Sequence, residues 1–443
     1  MMLFSKKDLQ RLIIPLILEQ TLVITVGMVN IMMVSSVGEA AVSGVSLVDM
    51  LNNLIISVLA ALATGGAVVT AQFIGAEKKE QACKSAKQLV VISVIISIVI
   101  TIFVLIVHKT LLSMLFGNID EAVMQSAIIY FLISAISYPF LALYNSCAAL
   151  FRSMGNSKIT LKISLLMNII NLVGSAVGIL VLHMGVAGVA IPSLVSRAVS
   201  AIIIYCLLKN PQNMIYLVKE RFRFDGRMIK KILYIGIPSG LENGIFQLGR
   251  VMVVSVIAGF GTVQIAANGV ANSLDGMGCI AGQAMSLAII SVIGRCVGTG
   301  DFDQVKYYTK KLIKMTYIIT IVVNTCILLA LPYILKIYGL SSETTQLAAI
   351  LVLIHDGIAM LLWPIAFALP NVLRACNDVK FTMVVSIFSM WTFRIGFSYI
   401  LGVWLGMGAI GVWIAMILDW IFRSIYFASR YLSGKWQKKC SRA

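Results

Sequence analysis

The chain contains 443 residues, of which 60% are hydrophobic and 12% are charged, and it carries a formal net charge of +17. Soluble globular domains carry about 25% charged residues, so this composition excludes a soluble protein. A membrane-spanning helix requires about 20 mostly apolar residues, so the length accommodates about twelve such helices and leaves no room for a soluble catalytic domain. The sequence therefore predicts an all-α membrane protein.

The positions of the basic residues indicate how these helices are oriented. Lys and Arg gather at the amino end, in every second predicted connection and in the tail, whereas the intervening connections contribute only Lys109 and Lys336. Basic residues are enriched on the cytoplasmic side of a membrane. We therefore expect a multi-pass protein of the cell membrane with both termini in the cytoplasm. The lipid bilayer, and not a nucleic acid, is the expected partner of this charge.

The predicted helices form two similar halves. An offset of 222 or 223 residues superimposes them, and the best match pairs segment 15–20, PLILEQ, with segment 238–243, PSGLEN. Both segments place a proline, a carboxylate and an amide in the same order early in a helix, which sets the match apart from shared hydrophobicity. The other pairs in register are Gly38 with Gly261, Gly75 with Gly298, Arg152 with Arg374, Lys158 with Lys380, and 185–189 with 408–412.

An even number of helices in each half gives both halves the same orientation, so they are parallel repeats. We expect an amino-terminal six-helix lobe at 1–208, a basic cytoplasmic linker at 209–231, and a carboxy-terminal six-helix lobe with a basic cytoplasmic tail at 232–443. Lobes that rock about a site held between them suit alternating access. The repeat therefore favours a protein that moves a solute across the membrane.

Carboxylates inside predicted helices are the main candidates for ion coupling. A carboxylate near the bilayer centre costs about 2.5–3.5 kcal/mol on insertion scales, so each one requires a reason to be there. In the amino-terminal half we predict only Glu19, whereas the carboxy-terminal half supplies Glu242, Asp275 and Asp356. We expect cation coupling from these four residues. Glu19 and Glu242 are the first choice, although most of the candidates belong to the carboxy-terminal lobe.

In an alternative interpretation, Glu19 and Glu242 do not take part in ion coupling. In that interpretation the two glutamates are neutral, hydrogen-bonded residues that cap a helix turn loosened by Pro15 or Pro238. They would then hold helices together and never titrate. The sequence leaves both interpretations open.

Other charges in the predicted helices favour structural roles. Asp419 and Arg423 lie four residues apart in the last helix and are predicted to pair with each other. Arg250 could neutralise Glu242 or Asp275, which would weaken the coupling role of its partner. The other residues to which we assign structural roles are Pro15, Pro238, Arg152 and Arg374.

Amides and one tryptophan could line a substrate cavity. Asp356 lies beside His355, and Trp363 follows seven residues later on roughly the same helix face, where it could form one wall of a cavity for an aromatic cation. Amides also join helices in membranes, and a tryptophan in an apolar helix often only packs, so a structural role is the alternative for each. The substrate-cavity candidates are Gln20, Asn30, Asn168, Asn171, Asn243, Gln283 and Trp363.

The sequence offers no pattern for cofactor chemistry. The eight cysteines form no Cys-x-x-Cys pair, the three histidines show no metal-ligand spacing, and no phosphate-binding loop is present. We therefore expect no metal site, no cofactor and no enzymatic activity. Transport would then depend on a gradient of sodium ions or protons, in which one charge crossing 100 mV is worth about 2.3 kcal/mol.

Five segments carry a likeness to a known family over nearly the whole chain. They are 30–34 with Gly38, 72–75, 150–158, 282–284 and 373–380. As a set they resemble the multidrug and toxic compound extrusion family of secondary antiporters. The resemblance implies a V-shaped pair of six-helix bundles that exports organic cations, often drugs, in exchange for sodium ions or protons. The expected partner is a cationic or amphipathic small molecule, and the expected state is a monomer.

The sequence departs from the family pattern at the expected ion sites. Many members place an aspartate where this chain has Asn30, and segment 168–171 lacks the aspartate often found nearby. Glu242 comes about one turn earlier than in some relatives, and Trp363 precedes the Leu-Arg motif of helix 10 with Asp356 two turns away. The family's aspartate-based cation site in the amino-terminal lobe is therefore incomplete in this sequence.

A second transport hypothesis is a flippase for lipid-linked saccharides, which has a related two-lobed architecture. Its cavity would require several cationic side chains to hold a pyrophosphate, whereas the predicted helices offer Arg250 and, less directly, Arg197 and Arg394. A membrane enzyme would require a convergent nucleophile or metal set, and we find none. The antiporter hypothesis is therefore the leading one.

Overall fold

Membrane-spanning helices account for most of the structure, a computed structural model that describes residues 3–117, 120–218 and 222–440. In these ranges twelve helices are long and apolar enough to cross a membrane. They are α1 (Lys6–Ser35), α2 (Glu39–Gly75), α3 (Lys79–Phe116), α4 (Glu121–Ser153), α5 (Ser157–Val181), α6 (Ala187–Leu208), α7 (Gly226–Ala258), α8 (Thr262–Gly298), α9 (Phe302–Ile337), α10 (Ser342–Ala375), α11 (Val379–Trp404) and α12 (Gly408–Leu432). A short helix, α13 (Gln437–Cys440), follows them. The predicted all-α architecture is confirmed.

Two compact units divide the chain. The first unit comprises residues 4–240, and the second begins at residue 241 and includes Leu3. The division falls within α7, because the first turns of this helix pack tightly against α2. A Cβ atom at Gly65 would lie 2.6 Å from the carbonyl oxygen of Ile232 and 2.7 Å from the backbone nitrogen of Gly236.

The predicted division into 1–208, 209–231 and 232–443 stays a prediction. Residues 1–2, 219–221 and 441–443, which belong to its lobe ends and its linker, lie outside the described residues. Contacts place the boundary between units about nine residues after the predicted end of the linker. The carboxy-terminal part of the linker and the start of α7 are thus held by the first unit.

A close approach of two helix backbones recurs in both units. In the first unit, a Cβ atom at Gly178 would lie 2.5 Å from the carbonyl oxygen of Gly188. In the second unit, a Cβ atom at Gly411 would lie 2.6 Å from the carbonyl carbon of Leu401. Gly188 and Gly411 are partners in the sequence repeat, so the match reflects a shared packing requirement. Only glycine allows backbones to approach this closely.

Wider helical turns also recur at equivalent places. Val177–Val181 forms a π-helical turn at the end of α5, and Met390–Gly396 and Ser398–Trp404 form two such turns in α11. A further π-helical turn, Pro364–Ala368, interrupts α10. Pro364 has no N–H group to continue the α-helical hydrogen-bond ladder. Each π-helical turn rotates the side chains that follow it, which changes the face they present.

The core of the first unit packs α2 against α4. Val48 and Leu59 of α2 and Phe131 and Tyr138 of α4 belong to one cluster of fully buried side chains. Gly44 allows the two helices to approach, because a Cβ atom there would lie 2.9 Å from the backbone nitrogen of Ala127. This interface positions the polar groups of α2 that are described below.

Candidate functional site

Glu19 is a buried carboxylate with two fixed partners in the first unit. Its side chain lies in α1, four residues after Pro15, and is 3% exposed. Arg152 of α4 places a guanidinium nitrogen 3.1 Å from Oε1, and the hydroxyl of Thr160 in α5 donates to Oε2 at 2.8 Å. Three helices therefore meet at one ion pair.

Glu242 repeats this arrangement in the second unit. It lies in α7, four residues after Pro238, and is 5% exposed. Arg374 of α10 places a guanidinium nitrogen 2.7 Å from Oε1, and the hydroxyl of Ser386 in α11 donates to the same atom at 2.5 Å. The matched pairs Glu19 with Glu242 and Arg152 with Arg374 are thus pairs in space as well as in sequence.

The arginine partners bear on both interpretations of the glutamates. A guanidinium group is always charged in proteins, so Arg152 and Arg374 each place a positive charge beside a glutamate. Removing one member of a buried ion pair leaves an uncompensated buried charge, so each glutamate and its arginine depend on one another. The geometry therefore favours a structural role for Glu19 and Glu242, as members of two ion pairs that the sequence analysis had not predicted.

A second group of buried charges lies in the second unit between α8 and α10. His355 stands between two carboxylates, with Nδ1 at 2.8 Å from Asp356 Oδ1 and Nε2 at 2.8 Å from Asp275 Oδ1. The side chains of His355 and Asp356 are each 1% exposed, whereas that of Asp275 is 22% exposed. We refer to Asp275, His355 and Asp356 as the Asp–His–Asp cluster.

Aromatic side chains hold the imidazole of this cluster in place. Trp413 and Trp420 of α12 contact the His355 ring edge-on, with ring centroids 5.3 and 4.8 Å away. The indole nitrogen of Trp413 donates to the side-chain oxygen of Asn268 at 2.9 Å, which fixes its orientation. The cluster therefore has a rigid apolar wall on one side.

Oxygen atoms of the cluster and of Asn324 converge next to Gly278. Within the described chain, Asp356 Oδ2 and the side-chain oxygen of Asn324 are buried without a hydrogen-bond partner. A Cβ atom at Gly278 would clash with the Asn324 side-chain oxygen and would lie 3.7 Å from Asp356 Oδ1. Buried polar groups normally have partners. These acceptors are therefore able to bind a proton or a small hard cation.

Other charged residues singled out in the sequence form ion pairs and hydrogen bonds within and between helices. Asp419 accepts a hydrogen bond from Arg423 at 2.8 Å, which confirms the predicted pair, and it also accepts one from the Ser389 hydroxyl. Arg394 lies 3.9 Å from the same carboxylate. Glu242 has Arg374 as its arginine partner and does not need Arg250 for neutralisation.

The substrate-cavity candidates are spread over both units. Asn168 and Asn171 lie in α5 and form hydrogen bonds within that helix, to Ser164 and from Ser175. Trp363 is buried, packs over Gly282 and stacks on Phe367 with centroids 5.4 Å apart. The remaining candidates are Gln20 and Asn30 in the first unit, and Asn243 and Gln283 in the second.

Asp49 is a membrane carboxylate that the sequence analysis missed. It lies within α2, where Oδ1 accepts hydrogen bonds from the Tyr130 hydroxyl at 3.1 Å and from Asn52 at 3.4 Å. The Tyr138 hydroxyl donates to Asn52 at 2.6 Å. The expectation that Glu19 is the lone carboxylate of the amino-terminal half is therefore wrong. The repeat contained the signal, because the offset of 223 places Asp49 opposite Asn272 and Asn52 opposite Asp275, so each half has one aspartate and one asparagine at these two positions.

Comparison with known proteins identifies the repeat as a family feature. The MatE family profile matches residues 15–177 and again 238–400. The two matches begin at Pro15 and Pro238, the residues that open the sequence repeat.

Two relatives cover almost the whole chain. An uncharacterized transporter, YisQ, from Bacillus subtilis strain 168 is 27% identical over 96% of this chain and 94% of its own length. A probable multidrug resistance protein, NorM, from Thermotoga maritima is 24% identical over 98% of this chain and 94% of its own length.

Solved structures share the fold. An outward-facing multidrug resistance MATE family transporter of the MOP superfamily has a TM-score of 0.91, at 22% identity over 99% of this chain and 97% of that chain. A MATE crystal structure in the bent conformation has a TM-score of 0.89, at 23% identity over 99% of this chain and 97% of that chain. These comparisons lend no support to the flippase hypothesis.

Proposed function

The chain belongs to the MatE family of multidrug efflux transporters, and on that premise we propose that it is a secondary antiporter for amphipathic organic cations. It exports them by alternating access in exchange for protons or sodium ions. We place it in the cell membrane with both termini in the cytoplasm, because the basic connections lie on one side of the predicted topology. An ion gradient is the energy source, since one charge crossing 100 mV supplies about 2.3 kcal/mol.

The Asp–His–Asp cluster is the observation that carries this proposal. Two carboxylates contact one imidazole at 2.8 Å each, inside helices that span the membrane. Ionisable residues in such a place are rare and mark ion or substrate pathways. Because the three groups contact one another, a proton or cation that binds to one of them changes the charge of the whole cluster.

We propose that coupling uses this cluster and not the two glutamates. Glu19 and Glu242 are each neutralised by an arginine at ion-pair distance. In the cluster the carboxylates contact a histidine and not an arginine, Asp356 keeps an unpartnered buried oxygen, and Asp275 is the most exposed member. Oε2 of Glu242 is also unpartnered, but its carboxylate has the charge of Arg374 beside it. Loading of a proton or sodium ion would lower the negative charge of the cluster. A cationic substrate would then bind less tightly, which is the requirement for exchange.

The negative charge of the Asp–His–Asp cluster also favours cations as the substrate class. Asp275 offers a partly exposed carboxylate, while Trp363 and Phe367 form a stacked aromatic pair close by in α10. Aromatic faces and carboxylates together favour organic cations. We therefore keep Trp363 and Gln283, which flanks Gly282, as substrate-cavity residues of the second unit.

Efflux measured with separate gradients tests the proposal. The purified protein would be reconstituted into vesicles loaded with ethidium, and an inward gradient of either protons or sodium ions would be imposed. We expect one of the two gradients to accelerate ethidium efflux at least about fivefold over vesicles without a gradient, the order that a gradient worth about 1 kcal/mol allows. Equal efflux rates with and without both gradients would contradict the antiport proposal.

A further inference from the structure

A basic cleft lies in the first unit, between the start of α3 and the segment that leads into α7. Its volume is about 1380 Å³, which exceeds the roughly 300–1,000 Å³ of most small-molecule pockets. The cationic side chains in its lining are Lys79, Lys84, Lys87, Arg223 and Arg227. The transport mechanism makes no use of this cleft.

The charge of the cleft is strongly positive. Among the described residues that line it, two carboxylates, Glu80 and Asp225, accompany the five cationic side chains. Glu80 is engaged by Lys84 at 2.7 Å. Asp225 accepts hydrogen bonds from the backbone nitrogens of Arg227 and Met228 at 3.0 and 3.1 Å, at the start of α7. Both carboxylates are therefore committed, and the cleft retains an excess of positive charge that favours an anion.

Hydrogen bonds to α3 hold the walls of the cleft in position. The ammonium group of Lys87 donates to the carbonyl oxygen of Val218 at 3.0 Å, and the buried amide of Gln88 donates to the carbonyl oxygen of Arg223 at 2.6 Å. Lys79 lies over the Tyr216 ring, 5.5 Å from its centroid. The backbone of Arg223 is therefore anchored on a membrane helix. Ligand binding at this segment then costs little conformational entropy.

An aromatic pair, of which Phe224 is the exposed member, lies next to these cations. Phe224 is 66% exposed, and Phe222 contacts it edge-on with ring centroids 4.8 Å apart. The cleft is located where α3 and α7 begin, and its lining residues Lys87 and Gln88 directly precede the apolar stretch of α3 that starts at Leu89. We therefore place the cleft next to the expected membrane boundary. Exposed aromatic rings beside Lys and Arg are typical of protein surfaces that contact the headgroup region of a bilayer.

We propose that this cleft binds the phosphate of an acidic phospholipid headgroup. Lys79, Arg223 and Arg227 supply the positive charge for the phosphate, and Phe224 contacts the lipid at the level of the glycerol backbone. The negative charge of the cytoplasmic leaflet places such lipids on the side where the basic connections are expected. The bound lipid ties the segment between the two halves to the membrane.

Lipid titration of the detergent-solubilised full chain, followed by native mass spectrometry, tests the proposal. The probes are phosphatidylglycerol and phosphatidylcholine with identical acyl chains. We expect the wild type to bind phosphatidylglycerol more tightly. Each basic residue near an anionic surface contributes about a factor of five, so Lys79→Gln, Arg223→Gln and Arg227→Gln together should weaken binding by roughly a hundredfold.

A charge-matched control is available at the start of α9, the helix that corresponds to α3 in the second half. Lys306, Lys310 and Lys314 are exposed there, and their replacement by Gln removes the same charge. We expect this variant to bind phosphatidylglycerol within about twofold of the wild type, because its cleft is intact. Equal loss in both triple variants, or no preference of the wild type for phosphatidylglycerol, would overturn the proposal.

Soluble glycerol phosphate separates a lipid from a free anion as the source of the phosphate. If the lipid is the ligand, millimolar glycerol phosphate displaces little phosphatidylglycerol, and Phe224→Ala weakens lipid binding about fivefold or more through lost apolar contact. Full displacement by glycerol phosphate, with no effect of Phe224→Ala, would overturn the assignment to a lipid and identify a free phosphate compound as the ligand.

Discussion

The guanidinium groups of Arg152 and Arg374 lie 3.1 and 2.7 Å from the carboxylates of Glu19 and Glu242. These contacts give the two most conspicuous carboxylates of the repeat a partner of opposite charge. Removing one member of a buried ion pair leaves an uncompensated charge and costs about 3–5 kcal/mol. The two pairs therefore join helices, and the loss of either should be felt first in stability.

Thermal unfolding of Glu19→Gln and Glu242→Gln tests this role. We expect each variant to unfold several degrees below the wild type, because an arginine remains buried without its carboxylate. Thr160→Val is the matched control, since it removes only one hydrogen bond to Glu19 and should cost about 1 kcal/mol. Wild-type unfolding temperatures in both Gln variants would contradict a structural role.

His355 separates proton coupling from sodium coupling. Its ring contacts both carboxylates of the Asp–His–Asp cluster at 2.8 Å. An imidazole can take up a proton in the physiological pH range, whereas the amide of a glutamine cannot. If protons are the coupling ions, His355→Gln should abolish the acceleration of ethidium efflux by a pH gradient. Measurement of efflux with each gradient separately decides between the ions. Acceleration by a pH gradient that is unchanged in this variant would contradict a proton-carrying role for His355.

The sequence did not predict which distant residues contact one another in the site. Glu19 and Arg152 are 133 positions apart, and Glu242 and Ser386 are 144 positions apart. The repeat matched the glutamates and the arginines separately, but nothing in either motif indicated that they touch. Asp419 and Arg423 were predicted correctly because a spacing of four residues places both on one helix face.

Helix contacts in the two units depend on glycines at equivalent positions. Gly188 approaches the backbone of Gly178, and Gly411 approaches the backbone of Leu401. A methyl group at either position would overlap backbone atoms, which cannot move as the end of a side chain can. Overpacking of this kind costs about 1–3 kcal/mol.

Unfolding temperatures of three alanine variants test this packing. We expect Gly188→Ala and Gly411→Ala to lower the unfolding temperature by similar amounts, because the two contacts are equivalent. Gly269→Ala is the control, since a Cβ atom there meets nothing within 4 Å, and alanine favours a helix by up to about 1 kcal/mol. A destabilised Gly269→Ala beside two unaffected variants would show that the backbone contacts are unimportant.

The elements themselves were largely predictable, and their interruptions were not. Apolar runs and the offset of 222 or 223 residues indicate helices and their pairing between halves. The π-helical turn at Pro364–Ala368 has a cause in the sequence, the missing N–H of a proline. The turns at 177–181 and 398–404 have no such marker, because they depend on packing against neighbouring helices.

At the scale of the molecule, composition and repeat were sufficient for the architecture but not for the chemistry. A charged fraction of 12% and the duplicated Pro15 and Pro238 motifs predict two six-helix halves of a membrane protein. The boundary between units differs from the expected linker because Gly65 binds the first turns of α7 to the first unit. Architecture is shared by the two halves, whereas the Asp–His–Asp cluster belongs to the second half alone.

Gradient-driven ethidium efflux from vesicles that contain Asp356→Asn is the most direct test of coupling through this cluster. Asp49→Asn is the matched control, because Asp49 is also a membrane carboxylate but is held by Tyr130 and Asn52. We predict that Asp356→Asn, which lacks one negative charge of the cluster as the ion-loaded state does, binds ethidium more weakly than the wild type and that its efflux loses the acceleration by either gradient. Asp49→Asn should keep both the binding and the acceleration. Wild-type acceleration in Asp356→Asn, with loss in Asp49→Asn, would place coupling in the first unit and contradict this account.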